Sequence, residues 1–163
     1  MNPSWRTLEA LLDKHQAMVF SIALRITGNR ELAEEVAQDV FLELHRRLES
    51  VQSEEHALFW LRKVAAHRTI DAARRTARMP ETVADVADLP GEGNQADPLL
   101  AQRLQQLVAE LPEKMKAVIV LRYQEDLMPE EISQTLSMPV ATVKSNLQRG
   151  LEILRRKTER VLR

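Results

Sequence analysis

Polar and basic side chains recur at helical spacing between residues 129 and 154 of this chain. The stretch predicts two short helices with a tight turn between them, because Ile132 and Leu136 share one face of the first helix and apolar residues recur every three or four positions along the second. The other face of the second helix carries Thr142, Lys144, Ser145, Gln148 and Arg149. Such side chains hydrogen-bond base edges and phosphates in a DNA major groove, so the pattern predicts a DNA-binding helix-turn-helix.

Residues suited to catalysis or metal binding form no comparable pattern. The sequence has no cysteine, which excludes disulfides and thiolate metal sites, and its four histidines are scattered. It contains neither a glycine-rich phosphate loop nor a defensible Ser/His/Asp arrangement. We therefore expect a binding protein that needs no metal or cofactor, and not an enzyme.

Composition favours an all-α fold. Leu, Ala, Glu and Arg dominate the 163 residues, whereas glycine is scarce and aromatic residues make up 4%. No apolar run approaches the roughly 20 residues that span a bilayer, and the N-terminus lacks the layout of a secretion signal. We expect a cytoplasmic protein without membrane insertion.

The middle of the chain predicts a boundary between two domains. Residues 79–98 hold three of the seven prolines and two of the four glycines, with an acidic excess and no periodicity. We expect two small helical domains, residues 1–78 and 99–163, joined by a flexible acidic linker, with the helix-turn-helix in the second. Helices are predicted at residues 5–15, 18–27, 30–48, 57–75, 98–110 and 112–123, ahead of the helix-turn-helix pair.

Charge is distributed unevenly, although the formal net charge is only −1. Eight acidic residues and two arginines give residues 31–55 a net charge of −6, whereas residues 62–78 and residues 144–163 each carry +5. Two basic segments and one acidic segment predict two nucleic-acid contacts and one protein contact. Solvated helix faces would produce the same charge runs, and the sequence alone leaves that alternative open.

These residues together resemble the extracytoplasmic-function, or group four, sigma factors of bacterial RNA polymerase. In the first domain the similar motifs are Ala33-Glu34-Glu35, Gln38-Asp39-Val40-Phe41, Phe59-Trp60-Leu61, Ile70-Asp71 and Arg74-Arg75. In the second they are Leu111-Pro112, Glu131-Ile132, Pro139-Val140, Thr142-Val143-Lys144-Ser145 and Leu147-Gln148-Arg149. The resemblance implies a subunit that directs core RNA polymerase to a two-part promoter and helps to melt it.

The resemblance assigns a partner to each charged segment. Glu35, Gln38 and Asp39 would contact the clamp helices of the largest polymerase subunit, with Phe41 in the core. The −10 promoter element would meet Val51, Arg62, Lys63, His67 and Arg68, and Trp60 would belong mainly to the core. His67 stands where the family often has Asn, so the base preferred there is open.

The −35 element would meet the helix-turn-helix and its approach. The residues implied are Arg122, Pro139, Ala141, Lys144, Ser145, Gln148 and Arg149. The basic tail, Arg155–Arg163, would contact backbone phosphates or the polymerase flap. Ser137 and Ala141 occupy positions that are often glycine, so Ser137 must either adopt a left-handed backbone or shift the turn.

The resemblance also implies an anti-sigma factor as a regulatory partner. The linker would pass through the polymerase, although a plain solvated tether has the same composition. The alternative function is a stand-alone helix-turn-helix regulator that binds duplex DNA without polymerase. That alternative leaves the acidic helix and the first domain unexplained.

Overall fold

A computed structural model describes residues 4–76 and 98–162, and all regular structure within those ranges is helical. The predicted all-α architecture is confirmed. Short 3-10 helices lie at Ser4–Arg6 and Leu48–Ser50, and the longer helices are α1 (Leu8–Thr27), α2 (Arg30–Arg46), α3 (Glu54–Thr76), α4 (Pro98–Ala109), α5 (Glu113–Tyr123), α6 (Pro129–Leu136) and α7 (Val140–Leu162). The linker prediction falls on residues outside the described ranges, except that Pro98 begins α4.

The N-terminal region contains one long helix where two were predicted. α1 runs without a break through Gln16 and Ala17, which are good helix formers and offer no reason to stop. It begins at an N-cap, where the Thr7 hydroxyl accepts from the Ala10 N–H at 3.1 Å. It ends at Gly28, whose φ of 66° lies in the left-handed region that glycine adopts readily. Asn29 then caps α2 by accepting from the Leu32 N–H.

α2 contributes apolar residues at helical spacing to the core. Val36, Val40 and Leu44 are buried, and so is Phe41, as expected from the sequence. Leu48 lies beyond the end of α2 and is half-buried in the following 3-10 helix. The outer face of α2 keeps its acidic residues in solvent, so this helix presents a charged surface on a rigid apolar base.

The C-terminal region surrounds α5, whose residues from Met115 to Leu121 are all buried. Ile132 and Leu136 of α6 and Val143 of α7 are buried as the helix-turn-helix pattern predicted. Leu151 has the same helical spacing as the apolar residues predicted along this helix, but it is 38% exposed. The basic tail continues α7 as a helix through Leu162 and is not a separate segment.

The two helical regions pack directly against each other. α1 contacts α4 and α5, and α3 contacts α5 and α6. Buried residues from both regions belong to one hydrophobic cluster, which includes Leu61 and Ile70 on one side and Leu121 and Ile132 on the other. The linker composition predicted two separate domains, and the structure adds that the described parts of the two halves share a hydrophobic core.

Candidate nucleic-acid and polymerase interfaces

The residues of α7 that are predicted to contact bases, here called the reading face, are open to solvent. Ala141, Lys144 and Gln148 are exposed at spacings of three and four residues, with Ser145 half-exposed between them. Arg149 is also exposed, and so is Pro139 immediately before the helix. The opposite side of α7 is anchored by Val143, which is fully buried. The six side chains predicted to contact DNA therefore lie on one accessible surface, formed by α7 and the residue before it, and the buried side of α7 holds that surface in place.

Hydrogen bonds hold the turn before α7 in one geometry. Ser137 adopts φ 55° and ψ 47°, so the first of the two predicted alternatives, a left-handed backbone, is the one observed. Its N–H donates to the carbonyl of Ser133. The Ser133 hydroxyl in turn donates to the Met138 carbonyl at 2.6 Å. These contacts fix the angle at which α7 leaves α6, and thereby the direction of the reading face.

Arg122 lies near the start of the loop that connects α5 with α6. Its Nη1 lies 3.5 Å from the Leu127 carbonyl oxygen and 3.6 Å from Oδ1 of Asp126. Its guanidinium also stacks over the Tyr123 ring, 5.6 Å from the centroid. The side chain is only half-buried, so it remains accessible to a DNA phosphate.

The predicted −10 residues on α3 already have partners within the protein. Arg62 forms an ion pair with Glu125, and the N–H at Nε2 of His67 donates to the Thr135 carbonyl at 3.0 Å. Because a carbonyl oxygen only accepts, Nε2 is the protonated ring nitrogen. Arg68 pairs with Glu43 of α2. In this conformation Arg62 and His67 are therefore engaged by the C-terminal half.

The remaining −10 candidates differ in accessibility. Lys63 lies over the Phe59 ring at 6.0 Å from the centroid and remains partly exposed. Val51 is 3% exposed, and its carbonyl accepts from Nη2 of Arg6 at 2.7 Å. A contact to DNA from Val51 would therefore come from the backbone of its loop. Trp60 is half-buried and packs against the core cluster, as predicted.

The acidic face of α2 borders a small groove shared with α3. Glu35, Gln38 and Asp39 are all exposed. Glu35 and Asp39 line the groove, which has a volume of about 130 Å³ and also contains Asp71 and Arg75 of α3. Leu42, one turn further along α2, is 56% exposed. The surface therefore combines carboxylates with an exposed apolar residue, which suits docking of a basic, amphipathic partner.

His15 is a buried titratable group apart from these surfaces. It is 7% exposed, and its Nε2 has no hydrogen-bond partner. Burial, with the positive charges of Lys14 and Arg62, lowers the pKa of His15 below its usual value, and the Glu54 carboxylate opposes the shift. Across the residues with described positions, no three histidine or acidic side chains form a group that could hold a metal ion.

Sequence patterns did not identify three features of these surfaces. Glu125 and Thr135 carry no local sequence signal, because their partners Arg62 and His67 are distant in the chain. Glu43 was counted only as part of an acidic run, although it bridges α2 to Arg68 and Arg47. Gly150 permits close packing of α7 on α5, since a Cβ there would lie 2.5 Å from Cδ1 of Ile119. The sequence signal for this close packing is the isolated glycine itself, which stands inside a strongly amphipathic helix.

No helix in the described ranges is both long and apolar enough to cross a membrane.

Comparison with known proteins identifies relatives of both halves. The family model for Sigma-70 region 2 matches residues 11–79, and that for Sigma-70, region 4 matches residues 101–154. The ECF RNA polymerase sigma factor SigL of Mycobacterium tuberculosis is 33% identical over 159 residues, which cover 91% of this chain and 86% of SigL. The ECF RNA polymerase sigma factor SigW of Bacillus subtilis is 29% identical over 160 residues, which cover 90% of this chain and 86% of SigW.

A solved structure has the same fold over most of the chain. It is the sigma factor RpoE from Bartonella quintana, in complex with the anti-sigma factor NepR. The TM-score is 0.75 at 16% sequence identity, and the similarity covers 93% of this chain and 96% of the other. At that identity the likeness concerns the fold alone.

Proposed function

Since this chain belongs to the extracytoplasmic-function family of RNA polymerase sigma factors, which direct core RNA polymerase to specific promoters, we propose how its two halves divide that task. The N-terminal half, residues 1–78, docks on the polymerase through α2 and engages the −10 element through α3. The C-terminal half, residues 99–163, reads the −35 element through α7. The exposed reading face of α7 is the observation that carries this proposal.

The chemistry of α7 supports direct readout of bases. The guanidinium of Arg149 or the ammonium of Lys144 pairs with O6 and N7 of guanine, and the amide of Gln148 pairs with N6 and N7 of adenine. The methyl group of Ala141 suits contact with a thymine methyl. Arg122 binds a phosphate and sets the register of the helix on the duplex.

The surface of α2 supports docking on a basic partner. Glu35 and Asp39 steer the approach through long-range attraction to the clamp helices of the largest polymerase subunit. Gln38 and Leu42 then supply hydrogen-bonded and apolar contact at short range. The basic end of α7 lies beyond the reading face and contacts phosphates or the polymerase flap.

A protein inhibitor is the second partner that we propose. The Bartonella RpoE of similar fold was solved with the anti-sigma factor NepR. An inhibitor that covers the acidic face of α2 would compete with the polymerase for Glu35 and Asp39. Pull-down of the full chain with a candidate inhibitor, with and without core polymerase, measures that competition.

Transcription from a promoter library by core polymerase and this chain tests the proposal. We expect transcripts from a restricted set of templates that share two elements. Arg149→Ala removes a bidentate donor, so it relaxes selection at one −35 position by about 1–3 kcal/mol. Arg103→Ala is the matched control, because Arg103 is exposed on α4 and belongs to none of the proposed contact surfaces. Tight, specific duplex binding without polymerase would instead support the stand-alone regulator.

A further inference from the structure

One peptide group in the loop between α2 and α3 is held from both sides by side chains. The group joins Val51 to Gln52. Its carbonyl oxygen accepts from Nη2 of Arg6 at 2.7 Å, and its N–H donates to Nδ1 of His56 at 3.1 Å. Because a backbone N–H only donates, Nδ1 is the unprotonated nitrogen of the His56 ring. The plane of this peptide group therefore cannot rotate without breaking at least one of the two hydrogen bonds.

The two side chains that hold the peptide group are themselves fixed. Arg6 ends the short 3-10 helix before α1, and its guanidinium lies over the Trp5 ring at 5.3 Å from the centroid. Trp5 packs against the main core cluster. Nε of Arg6 is buried and has no hydrogen-bond partner among the described residues, so the bond from Nη2 to the loop carbonyl is the polar contact that offsets this desolvation. His56 lies in the first turn of α3, where its N–H donates to Oγ of Ser53.

The rest of the loop is short of freedom as well. The side chain of Val51 is 3% exposed, and its N–H donates to the Leu48 carbonyl at 3.3 Å. The Ser50 hydroxyl donates to the Arg47 carbonyl at 2.6 Å. Ser50 and Gln52, on either side of the buried valine, are exposed. The loop thus presents two polar side chains to solvent on a fixed backbone, which lowers the entropy lost when a ligand binds.

We propose that Arg6 and His56 are positioning residues for the −10 element. They hold the peptide group between Val51 and Gln52 in the orientation in which the loop receives an unstacked base of the melted strand. This inference rests on the proposed role of the loop at Val51, and neither positioning residue has to touch DNA. Arg6 lies 45 residues from the loop in sequence and before the match to Sigma-70 region 2, which begins at residue 11. The short N-terminal helix therefore takes part in promoter selection.

Amide exchange in the full chain, measured by NMR, tests the positioning without DNA. We expect Arg6→Ala to accelerate exchange of the Gln52 N–H about fivefold, because loss of the bond to the carbonyl frees the same peptide plane to rotate. His56→Leu removes the acceptor and should have a similar effect. His56→Asn places an amide oxygen near the position of Nδ1 and should restore most of the protection. Unchanged exchange at Gln52 in Arg6→Ala, or equal acceleration at the buried Val40 N–H, overturns the positioning role.

Transcription with core polymerase tests the consequence for promoter selection. On templates that differ only in the −10 element, we expect Arg6→Ala and His56→Leu each to reduce the preference for the best template roughly tenfold, since a small displacement of a binding group is costly. Selection among −35 variants should stay unchanged, and His56→Asn should restore the −10 preference. The double variant should lose less than the product of the two single losses, because both side chains act on one peptide group. Arg103→Ala removes an equal charge from an exposed site on α4 and should alter neither preference.

A lysine at position 6 separates positioning from simple charge attraction. Arg6→Lys keeps the positive charge, but its ammonium ends one bond short of the place of Nη2, so we expect it to resemble Arg6→Ala. Full rescue by lysine would make Arg6 a phosphate contact and overturns the positioning role, as does an unchanged −10 preference in Arg6→Ala. Failure of the unchanged chain to give promoter-specific transcripts with core polymerase would instead contradict the proposed function, and the exchange result at Gln52 would still stand.

Discussion

The Nε atom of Arg62 lies 3.1 Å from Oε1 of Glu125, although 63 residues separate the two in sequence. The pair links α3 to the loop that follows α5, and both side chains are largely buried. A partly buried charge that loses its partner retains its desolvation cost without the compensating attraction. The pair therefore makes the packing of the two halves sensitive to a single substitution on either side.

A double-mutant cycle measures the coupling between these two residues. We expect Arg62→Gln and Glu125→Gln each to lower the free energy of unfolding by about 2 kcal/mol, since each leaves a charge without its partner. The double variant should lose about 1–2 kcal/mol less than the sum of the single losses. Urea denaturation of the full chain gives all four values.

The exposed pair between Arg156 and Glu152 provides the control cycle. These side chains are 71% and 54% exposed, so we expect their coupling to stay below about 0.5 kcal/mol. Additive losses at Arg62 and Glu125 would contradict the structural role given to that pair.

Local sequence signals predicted the helices well, because periodicity and capping act within a few residues. Gly28 and Asn29 end one helix and start the next, and Pro129 begins α6 where its missing N–H has no consequence. The accessible face of α7 followed from the same periodicity, since burial of Val143 leaves Lys144 and Gln148 on the opposite side.

Contacts between distant segments could not be predicted in the same way. Nothing near Arg62 in sequence indicates Glu125, and a basic residue on a helix looks the same whether it binds a phosphate or a carboxylate. The prediction of separate helices at residues 5–15 and 18–27 was wrong. α1 is continuous, and its buried residues Leu11, Val19 and Ile26 keep to one face through the predicted break.

Replacement of Ser137 by glycine should stabilise the protein. Ser137 has φ 55°, a left-handed conformation that costs a residue with a Cβ about 1–2 kcal/mol. Glycine avoids this cost but loses more entropy on folding, by about 0.4–1 kcal/mol. We expect Ser137→Gly to raise the free energy of unfolding by about 0.5 kcal/mol, measured by thermal and urea denaturation.

Gln134→Gly supplies a control of opposite sign. Gln134 is exposed within α6, where glycine should cost about 1 kcal/mol. Equal destabilisation by both substitutions would mean that the turn at Ser137 does not carry the strain described.

His15 should make stability decline as the pH falls. Burial lowers its pKa in the folded state below the unfolded value of about 6.5. The contribution is therefore complete above that value and is lost as the pH drops through it towards the folded pKa, by at most about 1.4 kcal/mol per pH unit. We expect His15→Leu to flatten the urea-derived stability curve between about pH 7.5 and 5.5, whereas Gln16→Leu, which removes no titratable group from the same helix, should leave its slope unchanged.

Charge reversal on α2 should weaken binding to core polymerase while the fold persists. Glu35 and Asp39 are exposed and line the same groove, so Glu35→Lys with Asp39→Lys places two cations where a basic partner is expected to dock. We expect at least about a tenfold loss of affinity, largely through slower association at low salt. Surface plasmon resonance with immobilised core enzyme, over a series of salt concentrations, measures both rates.

Reversal of Glu9 separates local docking from the overall charge of the protein. Glu9 is exposed in the first turn of α1, and Glu9→Lys combined with Asp13→Lys makes the same change in net charge on another helix. If steering depended only on net charge, both double variants would slow association equally. A deficit confined to the α2 variant, and reduced at high salt because exposed charges are screened, would assign the contact to Glu35 and Asp39. Equal affinities for the α2 variant and the unchanged chain would remove the acidic helix from the polymerase interface.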